Sequence, residues 1–343
     1  MKLADTIKLG LSSFSREALS IAANRTVAVP LRLFGLSKNK YEGLYKLMKK
    51  DLSEANEIYS PSTLWTVLEM QFSDILTING LEKFKDEYIN RHFAAYALGN
   101  KRVYEALIWQ YYQSIEAKDN LGLLKQLEEP TVGGKGNVVL VKGKRFTLDL
   151  LQSIDEFYNI LENSSIDTDE KSIFLELGAG YGRLAYIFIK ALPKCTYVIL
   201  DLPSSLLISQ YYLPKVLQKL DYSGYETTRG LTSISREGLA KKRLWFFAAL
   251  KLPFFEDNSI DTFINIYSLQ EMKKRQIKQF LDLASRKTAK RIYLKEHFLE
   301  HNPINSEEIT ADNYVLGKGW KLSYDKISSL YLHSFERAFD KPK

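Results

Sequence analysis

Cysteine is almost missing from this chain: Cys195 is the one thiol in 343 residues. Its scarcity excludes an intramolecular disulfide framework and fits a reducing compartment. Cys195 opens an apolar run, so it reads as a packing residue rather than a nucleophile. Long apolar runs are missing too. No uncharged stretch approaches the ~18 residues of a membrane-crossing helix, so no span is expected. Arg16, Glu17 and Arg25 interrupt the N-terminal residues, which lack the apolar core and cleavage signature of a secretion signal. The expected location is cytoplasmic. A G-x-x-x-x-G-K-[ST] loop is absent, which excludes a P-loop nucleotide site.

Basic excess is missing from most of the chain. Residues 1–50 hold ten Lys or Arg and three Asp or Glu, which accounts for the whole net charge of +7. The remainder carries 38 of each sign (48 − 10 and 41 − 3). Nucleic-acid binders usually present a basic face, so no nucleic-acid partner is expected. For residues 1–50 a solvated basic face is the preferred account. Weak anchoring at the inner face of a membrane is the alternative.

What the chain does have is Phe174-Leu-Glu-Leu-Gly-Ala-Gly-Tyr-Gly-Arg183, followed by Asp201. Ile173 to Leu177 is apolar except for Glu176, as in a parallel strand covered on both faces. Gly178, Gly180 and Gly182 allow a sharp turn and close approach of a ligand. Leu184 to Leu192 has helical spacing, and Tyr197 to Leu200 makes the next strand. Asp201 follows Gly182 by 19 positions (201 − 182), which suits an acid at the second strand tip facing a ribose.

The spacing decides among nucleoside cofactors. The nicotinamide fingerprint G-x-G-x-x-G needs a third glycine where this chain has Arg183. An acid two residues before the first glycine suits an ammonium group and would repel a pyrophosphate. S-adenosylmethionine fits, with Glu176 near its amino group and Asp201 on its ribose.

Residues 1–135 read as a helical domain. The expected helices include Leu3 to Ala22, Tyr41 to Tyr59, one from Ser60-Pro61 through Ile78 that stops at Asn79-Gly80, and Arg102 to Ile115. Glu129 to Gly136 is the breaker cluster at the junction. Residues 136–343 read as a second domain. It begins with a hairpin around Lys142-Gly143-Lys144 and a helix from Thr147 to about Leu161. Strands follow near 172–177, 196–200, 244–248, 261–267 and 290–296, with helices near 183–192, 204–219 and 274–285. Residues 318–326 and 332–340 form a closing antiparallel pair. The fold class is therefore α/β: a Rossmann-like doubly wound, mostly parallel sheet with an antiparallel C-terminal hairpin, preceded by an all-helical domain.

Ligands of such sheets bind at the carboxyl ends of the strands. The fourth strand ends in Ser268, Gln270 and Glu271, and the fifth in Glu296 and His297. His297 is the first choice for a general base, with Glu271 and Glu296 as further candidates. Asp201, Glu271 and Glu296 could share a divalent metal on a sugar diol, but no spacing compels one, so the metal stays open. Asn265-Ile-Tyr-Ser268 lacks the prolines of exocyclic-amine methyltransferases. Ala248 and Ala249 stand where many class I methyltransferases carry an adenine-reading Asp.

The segments Leu175-Glu-Leu-Gly-Ala-Gly-Tyr-Gly-Arg-Leu-Ala185, Asp201-Leu-Pro203, Ser209-Gln-Tyr-Tyr-Leu213 and Ser268-Leu-Gln-Glu-Met272 resemble a bacterial sugar O-methyltransferase family. That family belongs to the class I S-adenosylmethionine-dependent superfamily, and its acceptor is itself inferred. Tyr59-Ser-Pro-Ser-Thr-Leu-Trp65, Gly80-Leu-Glu-Lys-Phe84 and Val132-Gly-Gly134 are similar to its helical N-terminal region. The resemblance implies methylation of a hydroxyl on a nucleotide sugar or surface-polysaccharide unit. It implies cofactor contacts from Glu176, Gly178, Gly180, Gly182 and Asp201, to which Tyr181, Arg183, Leu202, Ala249 and Ser268 are added. The helical region would form a lid, with Tyr59, Ser62 and Trp65, and Gln270 from the sheet, reaching the acceptor. The alternatives are another small molecule or an amine as acceptor, or a catalytically silent cofactor-binding protein in a polysaccharide assembly complex.

Overall fold

The computed structural model describes residues 40–342 except 63–64, 67–77, 87–100, 163, 165, 167–168, 303–306 and 329–331. The expected helix Leu3 to Ala22 lies outside the described residues. The helical region holds α1 (Lys40–Ser53), a 3-10 turn at Glu57–Tyr59, α2 (Ile78–Glu82), α3 (Lys101–Glu116) and α4 (Leu123–Gln126). Two expectations shift here. Ser62, not Ser60, caps the turn that holds Trp65, its Oγ accepting from Trp65 N–H at 3.3 Å. Asn79-Gly80 lies inside α2 rather than ending a helix.

A hairpin follows, β1 (Val139–Val141) and β2 (Lys144–Phe146), with Val141 opposite Lys144. Lys142 and Gly143 both have positive φ, 50° and 81°, the backbone that a two-residue turn needs to match strand twist. Thr147 then caps α5 (Leu148–Leu161), accepting from Leu150 N–H at 3.2 Å.

From there the chain alternates: β3 (Ile173–Leu177), α6 (Arg183–Ala191), β4 (Thr196–Asp201), α7 (Pro203–Val216), β5 (Tyr222–Ser223), α8 (Tyr225–Thr228), α9 (Arg236–Leu239), β6 (Leu244–Ala248), β7 (Ile260–Ile266), α10 (Lys274–Lys287) and β8 (Thr288–His297). The hairpin β9 (Leu299–Asn302) with β10 (Glu307–Thr310) leads to β11 (Lys321–Ile327) and β12 (Ser334–Asp340). Among the described residues, eight strands form one sheet in the order β11-β12-β8-β7-β3-β4-β6-β5. Strands β3 to β8 run parallel, while β12 pairs antiparallel with β8 and β11 antiparallel with β12. This is a Rossmann-like doubly wound sheet with antiparallel C-terminal strands.

Side-chain alternation gives the sheet two cores. On one face Phe174, Tyr197, Phe246 and Tyr293 pack with α5, α6 and α7, and the same cluster continues into Met48, Phe84 and Ile108 of the helical region. On the other face Leu175, Val198, Phe263 and Leu294 pack with Ile277, Phe280 and Leu281 of α10. The chain moves outward from β3 through β4 to β6, then returns to β7 on the other side of β3. The switch point thus lies where β3 ends, between β4 and β7.

Candidate active site

The β3–α6 loop forms one wall of the site. At Gly178 (φ 78°) a Cβ would lie 2.3 Å from Ser268 Oγ, so the loop packs directly on the end of β7. At Gly180 (φ 59°) a Cβ would meet nothing within 4 Å, leaving the backbone open to a ligand. Asn265 closes the contact beneath: its Nδ2 donates to Leu177 O at 2.8 Å and to Ser268 Oγ at 2.6 Å. Ser268 Oγ in turn donates to Leu177 O at 3.1 Å. Ser268 therefore braces the loop.

Asp201, at the tip of β4, joins that wall to the next strand. Its Oδ2 accepts from Gly180 N–H at 2.8 Å and its Oδ1 from Leu202 N–H at 2.7 Å. Burial pushes its pKa up to about 7, against the pull of those two amides. A carboxylate oxygen has two acceptor directions, so each can take a ribose hydroxyl beside its amide. Glu176 is buried in β3 and accepts from Tyr197 OH at 2.8 Å. Burial pushes it up to about 8, with Tyr197 and Arg183 opposing.

The other loop side chains are turned to the helical side. Arg183 donates to Ser153 Oγ at 2.8 Å and lies 2.9 Å from Glu156 Oε2. Tyr181 OH donates to Asp149 Oδ2 at 3.3 Å, and its ring packs on Phe84 at 5.4 Å and Tyr212 at 5.3 Å. Ala249 is buried at the start of a 3-10 turn after β6, where the absent acid would stand.

A second rim lies at the ends of β7 and β8. The 3-10 turn Leu269–Glu271 follows β7. Gln270 is buried and ties two strands together: its Oε1 accepts from His297 N–H at 2.8 Å, and its N–H donates to Glu296 Oε2 at 3.3 Å. Glu296 is wholly buried, so desolvation pushes it well above the usual carboxylate range. Its Oε1 and the nearby buried Tyr314 hydroxyl have no hydrogen-bond partner among the described residues. That is the setting of a neutral interior acid, not of a group poised at the rim. His297 sits closer to the mouth. Its Nδ1 lies 2.7 Å from Glu300 Oε2, and its ring centre is 4.5 Å from that of His333 and 5.3 Å from that of Tyr267. Tyr267 has φ 56°, an uncommon conformation for a residue other than glycine.

Of the three helical-region candidates, Trp65 reaches the rim, where its Nε1–H donates to Glu271 Oε2. Ser62 serves Trp65 as its cap. Tyr59 is seated on α10 instead, its ring centre 5.8 Å from that of Phe280. The site also contains Asn265, Glu300, His333 and Tyr267, which sequence reasoning missed. Asn265 was findable as the one amide in an apolar strand. Glu300 carries no signal, because its pairing depends on the bend after β8. No group of three or more His, Cys, Asp or Glu among the described residues is arranged to hold a metal ion.

No family model matches the chain, and no curated protein does. The chain is similar to solved structures at low identity. One is magnesium protoporphyrin IX methyltransferase from Synechocystis PCC 6803 with bound S-adenosylmethionine (11% identity, 56% of this chain and 79% of that chain, TM-score 0.39). Another is a methyltransferase dependent on S-adenosylmethionine from Aquifex aeolicus (11% identity, 65% and 99%, TM-score 0.36). A third is the N-methyltransferase NodS from Bradyrhizobium japonicum WM9 in complex with S-adenosylhomocysteine (13% identity, 56% and 86%, TM-score 0.37). The sugar O-methyltransferase resemblance rests on the sequence segments quoted above.

Proposed function

We propose that this chain is a class I S-adenosylmethionine-dependent methyltransferase that methylates a hydroxyl of a sugar, carried on a nucleotide or a polysaccharide unit. The observation that carries the cofactor reading is Asp201 at the switch point, bonded to Gly180 N–H beside a stretch of backbone with open space over it. Asp201 would accept from the ribose hydroxyls, and Glu176 would face the ammonium group. A buried carboxyl at Glu176, beside the glycine turn, suits a ligand with an ammonium group there and disfavours a pyrophosphate.

When bound, the cofactor supplies an electrophilic methyl group on a sulfonium. The chain's part is to hold the acceptor oxygen in line and take its proton. Holding reactants in line can contribute about 7–11 kcal/mol, and a general base about 10²–10⁴-fold. Glu300 orients His297 through Nδ1, which would leave Nε2 to take the proton of an acceptor hydroxyl. The ring of Trp65 and the carboxyl of Glu271 suit an acceptor with an apolar ring face and hydroxyl edges. No described helix is long and apolar enough to cross a membrane. In a cytoplasmic enzyme, residues 1–50 would present a solvated basic face, with weak anchoring at a membrane surface as the alternative.

Isothermal titration calorimetry with S-adenosylmethionine, S-adenosylhomocysteine and NAD tests the cofactor. We expect the first two to bind and the third to give no heat. Mass spectrometry of a panel of nucleotide sugars then tests the acceptor by a gain of one methyl group. Transfer to amines alone would replace the hydroxyl reading.

A further inference from the structure

Trp65 and Glu271 are 206 positions apart, yet they share a hydrogen bond at the rim. The chain before Trp65 is fastened along its length. Asn56 caps the Glu57–Tyr59 turn, and Gln276 Nε2 on α10 donates to Ile58 O at 2.9 Å and Ser60 O at 3.0 Å. Tyr59 packs on Phe280, and Ser62 fixes the turn that carries Trp65. Residues 57–62 thus form a strap from α10 that delivers an indole to the end of β7.

Among the groups bearing on Glu271 from the neighbouring elements are three acids: Asp201 on β4, Glu296 on β8 and Glu300 on β9, the last bonded to His297. Burial and the charges of Glu300 and Asp201 push Glu271 up to about 8, while the indole pulls it down. An indole N–H only donates, so it favours the ionised carboxylate over the acid.

We propose that Trp65 is a positioning residue for Glu271, favouring its ionised form and holding the carboxyl in place to accept from a second hydroxyl of the incoming acceptor, beside the one that faces His297. The identity of the incoming group rests on the methyl-transfer reading; the pairing of the two residues does not. A cation entering beside Asp201 drives Glu271 the same way. Filling the cofactor site and clamping the strap therefore support one another, as linkage requires.

The test uses the full chain and its tryptophan fluorescence, followed from neutral to alkaline pH. We expect a step near pH 8, lost in both Trp65→Phe and Glu271→Gln. Added S-adenosylmethionine should move the step to lower pH by about one unit, a tenfold change in ionisation. S-adenosylhomocysteine, with a neutral sulfur, should move it less. A step that survives in Glu271→Gln would overturn the proposal. So would an unmoved step in protein that calorimetry shows to be loaded with S-adenosylmethionine. If calorimetry finds no such binding, the cofactor reading fails instead, and the step in the wild type and Glu271→Gln still decides the pairing, even should Trp65→Phe not fold.

Discussion

Asp201→Ala should weaken binding of S-adenosylmethionine by about 10²-fold or more, with the circular dichroism of the protein unchanged. Hydrogen bonds to a charged acceptor contribute about 1.5–3 kcal/mol each, and a ribose diol offers two. The substitution also frees the amides of Gly180 and Leu202, which now converge on the carboxylate, so the loop loses its anchor to β4. Calorimetry reads the loss directly, and an affinity within about threefold of wild type would take Asp201 out of the site.

The same residue sets a pH dependence. Its pKa in the folded chain is raised from the ordinary 3.8 to about 7. Stability from this group is therefore fully present below 3.8 and lost as pH rises through 7. Ligand binding has the opposite sign, because the ribose hydroxyls need the ionised acceptor. Affinity should climb between about pH 6 and 8, then level off. In Asp201→Asn that portion of the slope should vanish.

Arg291→Met should destabilise the fold by about 3–5 kcal/mol, because it removes four hydrogen bonds made by a buried guanidinium and leaves two carbonyls at the end of α5 without their donor. Arg291 is 1% exposed and holds three elements at once. Its Nε and Nη2 bond the two carboxylate oxygens of Asp340 at 2.7 and 2.8 Å, fixing the end of β12. Its Nη1 donates to Ile160 O at 2.9 Å and Glu162 O at 2.8 Å, satisfying carbonyls at the end of α5. Lysine cannot reproduce that fork, so Arg291→Lys should recover only part of the loss. Urea unfolding monitored by fluorescence measures both variants. A change below about 1 kcal/mol for Arg291→Met would mean that water replaces the lost donors at no cost.

Much of this was legible in the sequence because parallel strands covered on both faces are written as unbroken apolar runs. The run at 196–200 is β4 (Thr196–Asp201), and that at 244–248 is β6 (Leu244–Ala248). Gly178, Gly180 and Asp201 were legible for a related reason: turn and strand tip are adjacent in sequence, so their spacing carries the geometry. The hairpin of β9 and β10 was not, because Leu299-Glu-His-Asn302 and Glu307-Glu-Ile-Thr310 lack the alternation of a half-buried strand. Nor was the seating of Tyr59 on α10, or the arrival of Trp65 at Glu271. Such contacts depend on where one layer lands on another, and local pattern says nothing of that. The buried state of Glu296 belongs here too. Its neighbour His297 looks equivalent in sequence, yet strand alternation sends one into the interior and the other to the mouth.

The lone thiol, finally, gives this molecule a built-in clock. Cys195 is buried between α6 and β4, its Sγ 3.6 Å from Phe188 O, and burial pushes the thiol up to about 11. Alkylating reagents need a thiolate they can touch, and the native state offers neither access nor charge. Labelling must wait until the interior comes apart. One mass increment per molecule would then count openings of the fold, free of competing signals.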